Sequence, residues 1–248
     1  MPHAGSGDRA PIAVALDTAD LDTALAWAGA VASHVSCLKV GLELFCAHGL
    51  TAAEQVRDHS GLDLFLDLKL HDIPATVAGA ARALAGLSPT YLTVHAAGGA
   101  AMIAAAAEAL PQTRIAGVTV LTSLSASQLD RIGLAGPPAE AVARLAGLAV
   151  DAGARALVCS PQEVAHVRAV VGADITLITP GVRPAGVDDG DQARTATPTR
   201  ARAAGADLLV IGRPITGAAD PGEAAAAIAA SLDSPIGTEQ LPNALPAR

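Results

Sequence analysis

Aromatic residues are almost missing from this chain. Its 248 residues include two Phe, one Tyr and one Trp. A core must therefore be built from Ala, Val, Leu and Ile, which is feasible because hydrophobic residues make up 51% of the chain. Cysteine is scarce as well. Cys37, Cys46 and Cys159 are an odd number without C-x-x-C spacing, which argues against a disulfide framework or a zinc site and fits a reducing cytoplasm. Their expected role is that of small buried hydrophobes. Positive charge is in deficit, with a net charge of -8 and no basic run interleaved with aromatics, so a nucleic-acid partner is not expected. Mean hydropathy is positive, +0.42, yet Arg, Asp and Glu interrupt every apolar stretch before it reaches the roughly 18 to 20 residues of a spanning helix. The opening "MPHAGSGDRA" has no apolar signal-peptide segment. A cytoplasmic protein without a membrane partner is expected.

One further shortage points to chemistry. Of 16 basic residues only Lys39 and Lys69 are lysine; the other 14 are arginine. Solvated surfaces accept either type. Arginine does not release a proton near neutral pH, whereas lysine can, and lysine is the more compact charge. Two positions thus call for an ammonium group. Lys69 stands in "DLKLHDIPATV", between Asp67 and Asp72. Flanking carboxylates raise a lysine's pKa, whereas an amine nucleophile needs it depressed. The expectation is an ammonium acid or point charge rather than a Schiff-base lysine.

Short β-type runs alternate with Ala/Leu-rich helical runs. The strand candidates are "IAVALD", "SCLKVG", "LDLFLDLK", "TYLTVHA", "RIAGVTVL", "RALVCS", "ITLITPG" and "LLVIG". Apolar strands with helical crossovers imply a parallel sheet buried on both faces. Eight such units predict an α/β fold of the (β/α)8 TIM-barrel type in a single domain. A doubly wound open sheet is the runner-up, but no G-x-G-x-x-G follows the first strand. The expected organisation is a flexible N-terminus over 1–10, a barrel over 11–233 and a flexible tail over 234–248.

Polar residues recur at the predicted strand ends: Asp17, Lys39, Asp67 with Lys69, His95, Thr122, Arg183 and Arg213. In a barrel these ends converge on one mouth. Asp67 and Lys69, two apart on a strand, should point to the same side. Asp72 precedes "IPATV" and is a candidate N-cap, with Pro74 in the first helical turn. "VIGRPIT" places Gly212 and Arg213 between the last strand and its helix, where backbone N–H groups, a helix N-terminus and a guanidinium favour an anion. "TPGVRPAGVDDGDQARTATP" has the composition of a binding loop, from which Arg183 and Gln192 are expected to reach the same anion, read as a phosphate. His71 and His95 are expected to be structural, not catalytic.

In order along the chain, "KVG", D-x-K-x-x-D-I-P, "VTVLTS", "TPGVRP", "GDQ" and "VIGRP" resemble the orotidine 5'-phosphate decarboxylase family. The resemblance runs from "ALD" to "VIGRPIT" without a departure at a motif position. It implies decarboxylation of orotidine 5'-phosphate to UMP, with no metal and no organic cofactor. Asp17 is implied at the ribose, and Lys39 at a ribose hydroxyl and in a charge network with Asp67 and Lys69. Asp67 is implied beside the substrate carboxylate, and Lys69 as the proton donor to C6. Asp72, Ile73 and Thr76 are implied to reach the neighbouring site of a homodimer. Thr122 or Ser123 is implied at the pyrimidine, and Pro180, Arg183, Gln192, Gly212 and Arg213 around the substrate, chiefly its phosphate. The nearest rival is a magnesium-dependent sugar-phosphate enzyme on the same barrel. It would need an acid near the end of the second strand, where this chain has Lys39, with Glu43 at the start of a helix. A barrel that binds nucleotides without catalysis is a further alternative, but it would not need the full set of lysines and acids.

Overall fold

The computed structural model describes residues 9–134, 136–184 and 195–232. Eight strands are present: β1 (Ala10–Ala15), β2 (Val35–Gly41), β3 (Asp63–Leu70), β4 (Tyr91–His95), β5 (Arg114–Val118), β6 (Ala156–Val158), β7 (Thr176–Thr179) and β8 (Leu208–Ile211). The helices are α1 (Leu21–Val31), α2 (Leu42–His48), α3 (Leu50–Ser60), α4 (Pro74–Ala83), α5 (Ala100–Ala109), α6 (Ala126–Arg131), α7 (Pro138–Asp151), α8 (Val164–Val171), α9 (Pro198–Ala203), α10 (Arg213–Thr216) and α11 (Pro221–Leu232). All strand pairs are parallel, and the sheet closes where Ile12 and Val14 of β1 register with Leu209 and Ile211 of β8. The predicted barrel is therefore the observed fold, and the open-sheet alternative falls. Of the termini expected to be flexible, all but Arg9 and Ala10 lie outside the described residues. No described helix is long and apolar enough to cross a membrane.

The period of two along each strand sorts side chains into two cores. Ile12, Val14, Leu38, Val40, Leu64 and Leu66 face the helices. Ala13, Cys37, Phe65, Tyr91, Ala116, Ala156, Ile178 and Leu208 fill the barrel interior. Two of the chain's few aromatics meet there edge to face, with Phe65 and Tyr91 ring centroids 5.8 Å apart. Alanines from β1, β5 and β6 leave room for those rings. The same alternation carries Lys39 two positions beyond Cys37, and Asp67 two beyond Phe65, onto the interior face nearer the C-terminal strand ends.

Two local expectations are corrected. The N-cap of α4 is Ile73, not Asp72. Pro74 occupies the first helical position and holds the residue before it in extended conformation (φ -60°, ψ 152°). Asp72 lies outside the cap and accepts a hydrogen bond from the Ile73 amide at 2.6 Å. Cys46 is exposed, whereas Cys37 and Cys159 are buried free thiols as expected. Burial pushes the Cys159 thiol up to about 12, so it stays protonated and inert.

Candidate active site

The C-terminal strand ends surround a cavity of about 610 Å³. Ala15, Phe65, Val118, Val158 and Val210 contribute apolar lining, while Asp17, Lys39, Asp67, Lys69, Arg183 and Arg213 contribute charge. Residues nearly 200 positions apart in the chain become neighbours because consecutive parallel strands end at one mouth.

Four charges of alternating sign run along one side. Lys39 Nζ lies 2.9 Å from Asp17 Oδ1 and 3.5 Å from Asp67 Oδ2, and Lys69 Nζ lies 2.8 Å from Asp67 Oδ1. Burial opposes ionisation of Asp67. The charges of Lys39 and Lys69, with hydrogen bonds from Lys69 and Thr93, outweigh it and hold the carboxyl below its ordinary value of 3.8. Lys39 is nearly buried between two carboxylates, and this double pairing offsets its desolvation. Gly41 makes the geometry possible. A side-chain carbon there would approach Lys39 Nζ to 2.8 Å and Asp17 Oδ1 to 2.9 Å.

Asp67 and Lys69 do converge, but not by simple alternation. Leu66 registers with Leu92 and Leu70 with Val94, so Asp67, Leu68 and Lys69 stand opposite Thr93 alone. Such a bulge redirects side chains near functional sites. Its extra length is absorbed at Lys69, which has φ 49°, a left-handed conformation that is strained for a long side chain.

After β7, at the same mouth, Arg183 is buried, and its Nε has no hydrogen-bond partner among the described residues. Val182 bridges to Ala196, and the Arg183 amide donates to the Ala196 carbonyl at 2.9 Å. These contacts tie together the described chain before and after segment 185–194; Gln192 lies outside the described residues. Gly212 caps α10, which begins at Arg213 and is only four residues long. So short a helix adds little dipole, and the two guanidinium groups are the main cationic elements here.

Thr122 and Pro180 line the cavity; Ser123 is exposed and does not. Asp72, Ile73 and Thr76 are exposed and do not line their own chain's cavity either. Glu43 lines it from the first turn of α2. Among the described residues, no group of three or more His, Cys, Asp and Glu side chains is arranged to hold a metal ion. His71 is exposed and His95 half-buried, and their ring centroids are 5.2 Å apart. Burial, then the neighbouring His71 and Lys69, lowers the His95 pKa below 6.5.

Sequence reasoning missed Thr93 and assigned no role to Gly41. The signal for Thr93 was available: in "YLTVH" it shares the inward face with Tyr91 and His95.

A parallel barrel with paired charges and a cationic rim at its C-terminal mouth defines a (β/α)8-barrel enzyme site. Comparison with known proteins narrows the class. The profile of the Orotidine 5'-phosphate decarboxylase / HUMPS family matches residues 10–228, and the chain belongs to that family. It is 70% identical to the orotidine 5'-phosphate decarboxylase of Thermobifida fusca (strain YX), across 90% of this chain and 96% of that protein. It is 60% identical to that of Frankia casuarinae, across 91% and 89%. The crystal structure of orotidine 5'-phosphate decarboxylase from Lactobacillus acidophilus superposes with a TM-score of 0.79 at 37% identity, covering 91% of this chain and all of that one. The resemblance read from the motifs thus holds along nearly the whole chain.

Proposed function

We propose that the chain decarboxylates orotidine 5'-phosphate to UMP and CO2, a step of pyrimidine nucleotide synthesis, and that Lys69 protonates C6. The observation that carries the reading is the placement of the Lys69 ammonium, held by Asp67, in a cavity that Arg183 and Arg213 also line. The bond between C6 and the carboxylate carbon breaks, and its electron pair stays on C6. CO2 departs, and one Lys69 N–H proton moves to C6. A fixed positive charge at the developing carbanion is the largest help available to such a step, and the same group is the general acid. Asp67 lies beside the substrate carboxylate and adds repulsion that decarboxylation relieves, a secondary contribution.

Asp17 and Lys39 hold the ribose, and Thr122 meets the pyrimidine. Pro180, Arg183, Gln192, Gly212 and Arg213 enclose the phosphate. The Nε of buried Arg183, without a hydrogen-bond partner among the described residues, supports an anion there. Phosphate binding, remote from C6, supplies energy that is realised in the transition state. Asp72, Ile73 and Thr76 reach the neighbouring site of a homodimer; the 65% exposure of Ile73 beside an exposed acid supports a partner surface. Neither a metal nor an organic cofactor takes part. The Lys39 ammonium stands between Asp17 and Asp67, at the strand end where the rival magnesium-dependent chemistry would need an acid.

The test follows the ultraviolet absorbance of orotidine 5'-phosphate with purified protein and EDTA, alongside Lys69→Ala. Loss of the substrate spectrum that requires Lys69 and ignores EDTA is expected. A folded dimer that leaves the spectrum unchanged would overturn the assignment and send the search to sugar phosphates with magnesium.

A further inference from the structure

We propose that Thr93 is a positioning residue for catalysis, its hydroxyl fixing both the main chain of Lys69 and the carboxylate that holds the lysine's ammonium group. The inference rests on the reading of Lys69 as proton donor and adds a residue to it.

Thr93 is fully buried on β4, opposite the bulge. Its Oγ1 accepts the Lys69 amide hydrogen at 2.8 Å and lies 3.1 Å from Asp67 Oδ1. A hydroxyl has one hydrogen to donate and two lone pairs. An ionised carboxylate only accepts, so the hydroxyl hydrogen must go to Asp67 while a lone pair serves the amide. The same Asp67 oxygen accepts from Lys69 Nζ at 2.8 Å. The contacts form a closed cycle, from Lys69 N–H to Thr93, to Asp67 and back to the Lys69 ammonium.

This cycle solves a problem that the bulge creates. The Lys69 amide has left the regular ladder, its φ is left-handed, and its ammonium sits at the end of a flexible four-carbon stem. An unpaired buried amide would be costly, and a proton donor misplaced by 1 Å loses about a hundredfold in rate. Thr93 anchors the lysine at both ends. Its β-branch restricts χ1, and its burial keeps water from competing for either hydrogen bond.

The charged and titratable groups around Asp67 are Lys39 from β2, Lys69 from β3 and His95 from β4, with Asp17 reaching the array through Lys39. Thr93 is the neutral donor among them. Its loss removes a hydrogen bond that favours the carboxylate, so Asp67 should take up a proton at higher pH.

The experiment compares wild type with Thr93→Val, which keeps the shape and removes the hydroxyl, and Thr93→Ser, which keeps the hydroxyl. Turnover of orotidine 5'-phosphate is measured against pH, with folding checked by circular dichroism and thermal midpoint. Thr93→Val should lower kcat at least about tenfold with KM within about threefold, and should move the acid limb of the profile to higher pH. Thr93→Ser should restore most of kcat and the original limb. A Thr93→Val protein with wild-type kcat and an unmoved limb overturns the proposal. So does a folded Thr93→Ser protein as slow as Thr93→Val, because packing of the methyl would then be the cause. If Thr93→Val does not fold, Thr93→Ser against Thr93→Ala makes the same comparison. If wild type does not turn over the substrate, the functional reading fails on its own. Titration of the Asp67 carboxyl by carbon-13 NMR then decides the positioning role: a higher pKa without the hydroxyl upholds it, and an unmoved one overturns it.

Discussion

Gly41 lies directly against the Lys39 ammonium: a carbon placed on its Cα would sit 2.8 Å from Nζ. The backbone there is extended (φ -94°, ψ -176°), a conformation open to any residue. Gly41→Ala should therefore fold, at a stability cost under about 1 kcal/mol, because the crowded atoms are ends of flexible side chains. It should still lower kcat/KM at least about tenfold by displacing Lys39 and Asp17 from their pairing. Steady-state kinetics beside a urea titration checks both parts; a large loss of stability would refute the account.

Lys69 carries its strain in the main chain. Lys69→Ala and Lys69→Gly should each lower turnover by about a thousandfold or more, since both remove the proton donor and its charge. Their stabilities should differ. At φ 49° glycine is unstrained and alanine is not, so Lys69→Gly should be the more stable by about 1 kcal/mol. Equal unfolding midpoints would mean that the backbone relaxes once the lysine is gone.

Asp67 has a depressed pKa in the folded state. Its contribution to stability is therefore complete above its unfolded value, near 3.8, and is lost as pH falls through the lower folded value. Asp67→Ala leaves Lys39 and Lys69 without their shared carboxylate and should destabilise the protein by about 3 kcal/mol at neutral pH. The gap from wild type should narrow below pH 3.8. Urea midpoints across that range test it, and a gap that does not change with pH would show that the ion pairs contribute nothing.

His95 works in the opposite range. Its folded pKa lies below 6.5, so on acidification the unfolded chain takes up a proton that the folded chain refuses. Stability should fall as pH drops through 6.5 toward the folded value, and His95→Gln should remove that part of the slope. Thermal midpoints of both proteins over this window decide the matter.

The fold and much of the site were legible in the chain. Eight apolar runs separated by helical periodicity pointed to the barrel, because strand and helix periods are local properties of a sequence. The two lysines stood out because the chain otherwise uses arginine, and the motif order carried the family. Asp17, Lys39, Asp67, Lys69, Arg183 and Arg213 all line one cavity, as their strand-end positions suggested. What local pattern could not show depends on packing between strands. Nothing in "DLKL" announces a bulge that sets three residues of β3 against one of β4, or a left-handed Lys69. Thr93 gains its importance only from the strand across from it, and Gly41 only from the two charged side chains that fill the space it leaves. The alternation of apolar and polar residues dictates which face of a strand is buried. Register, bulges and the exact separation of charges arise when distant segments are packed together, and those separations govern the electrostatics of the site.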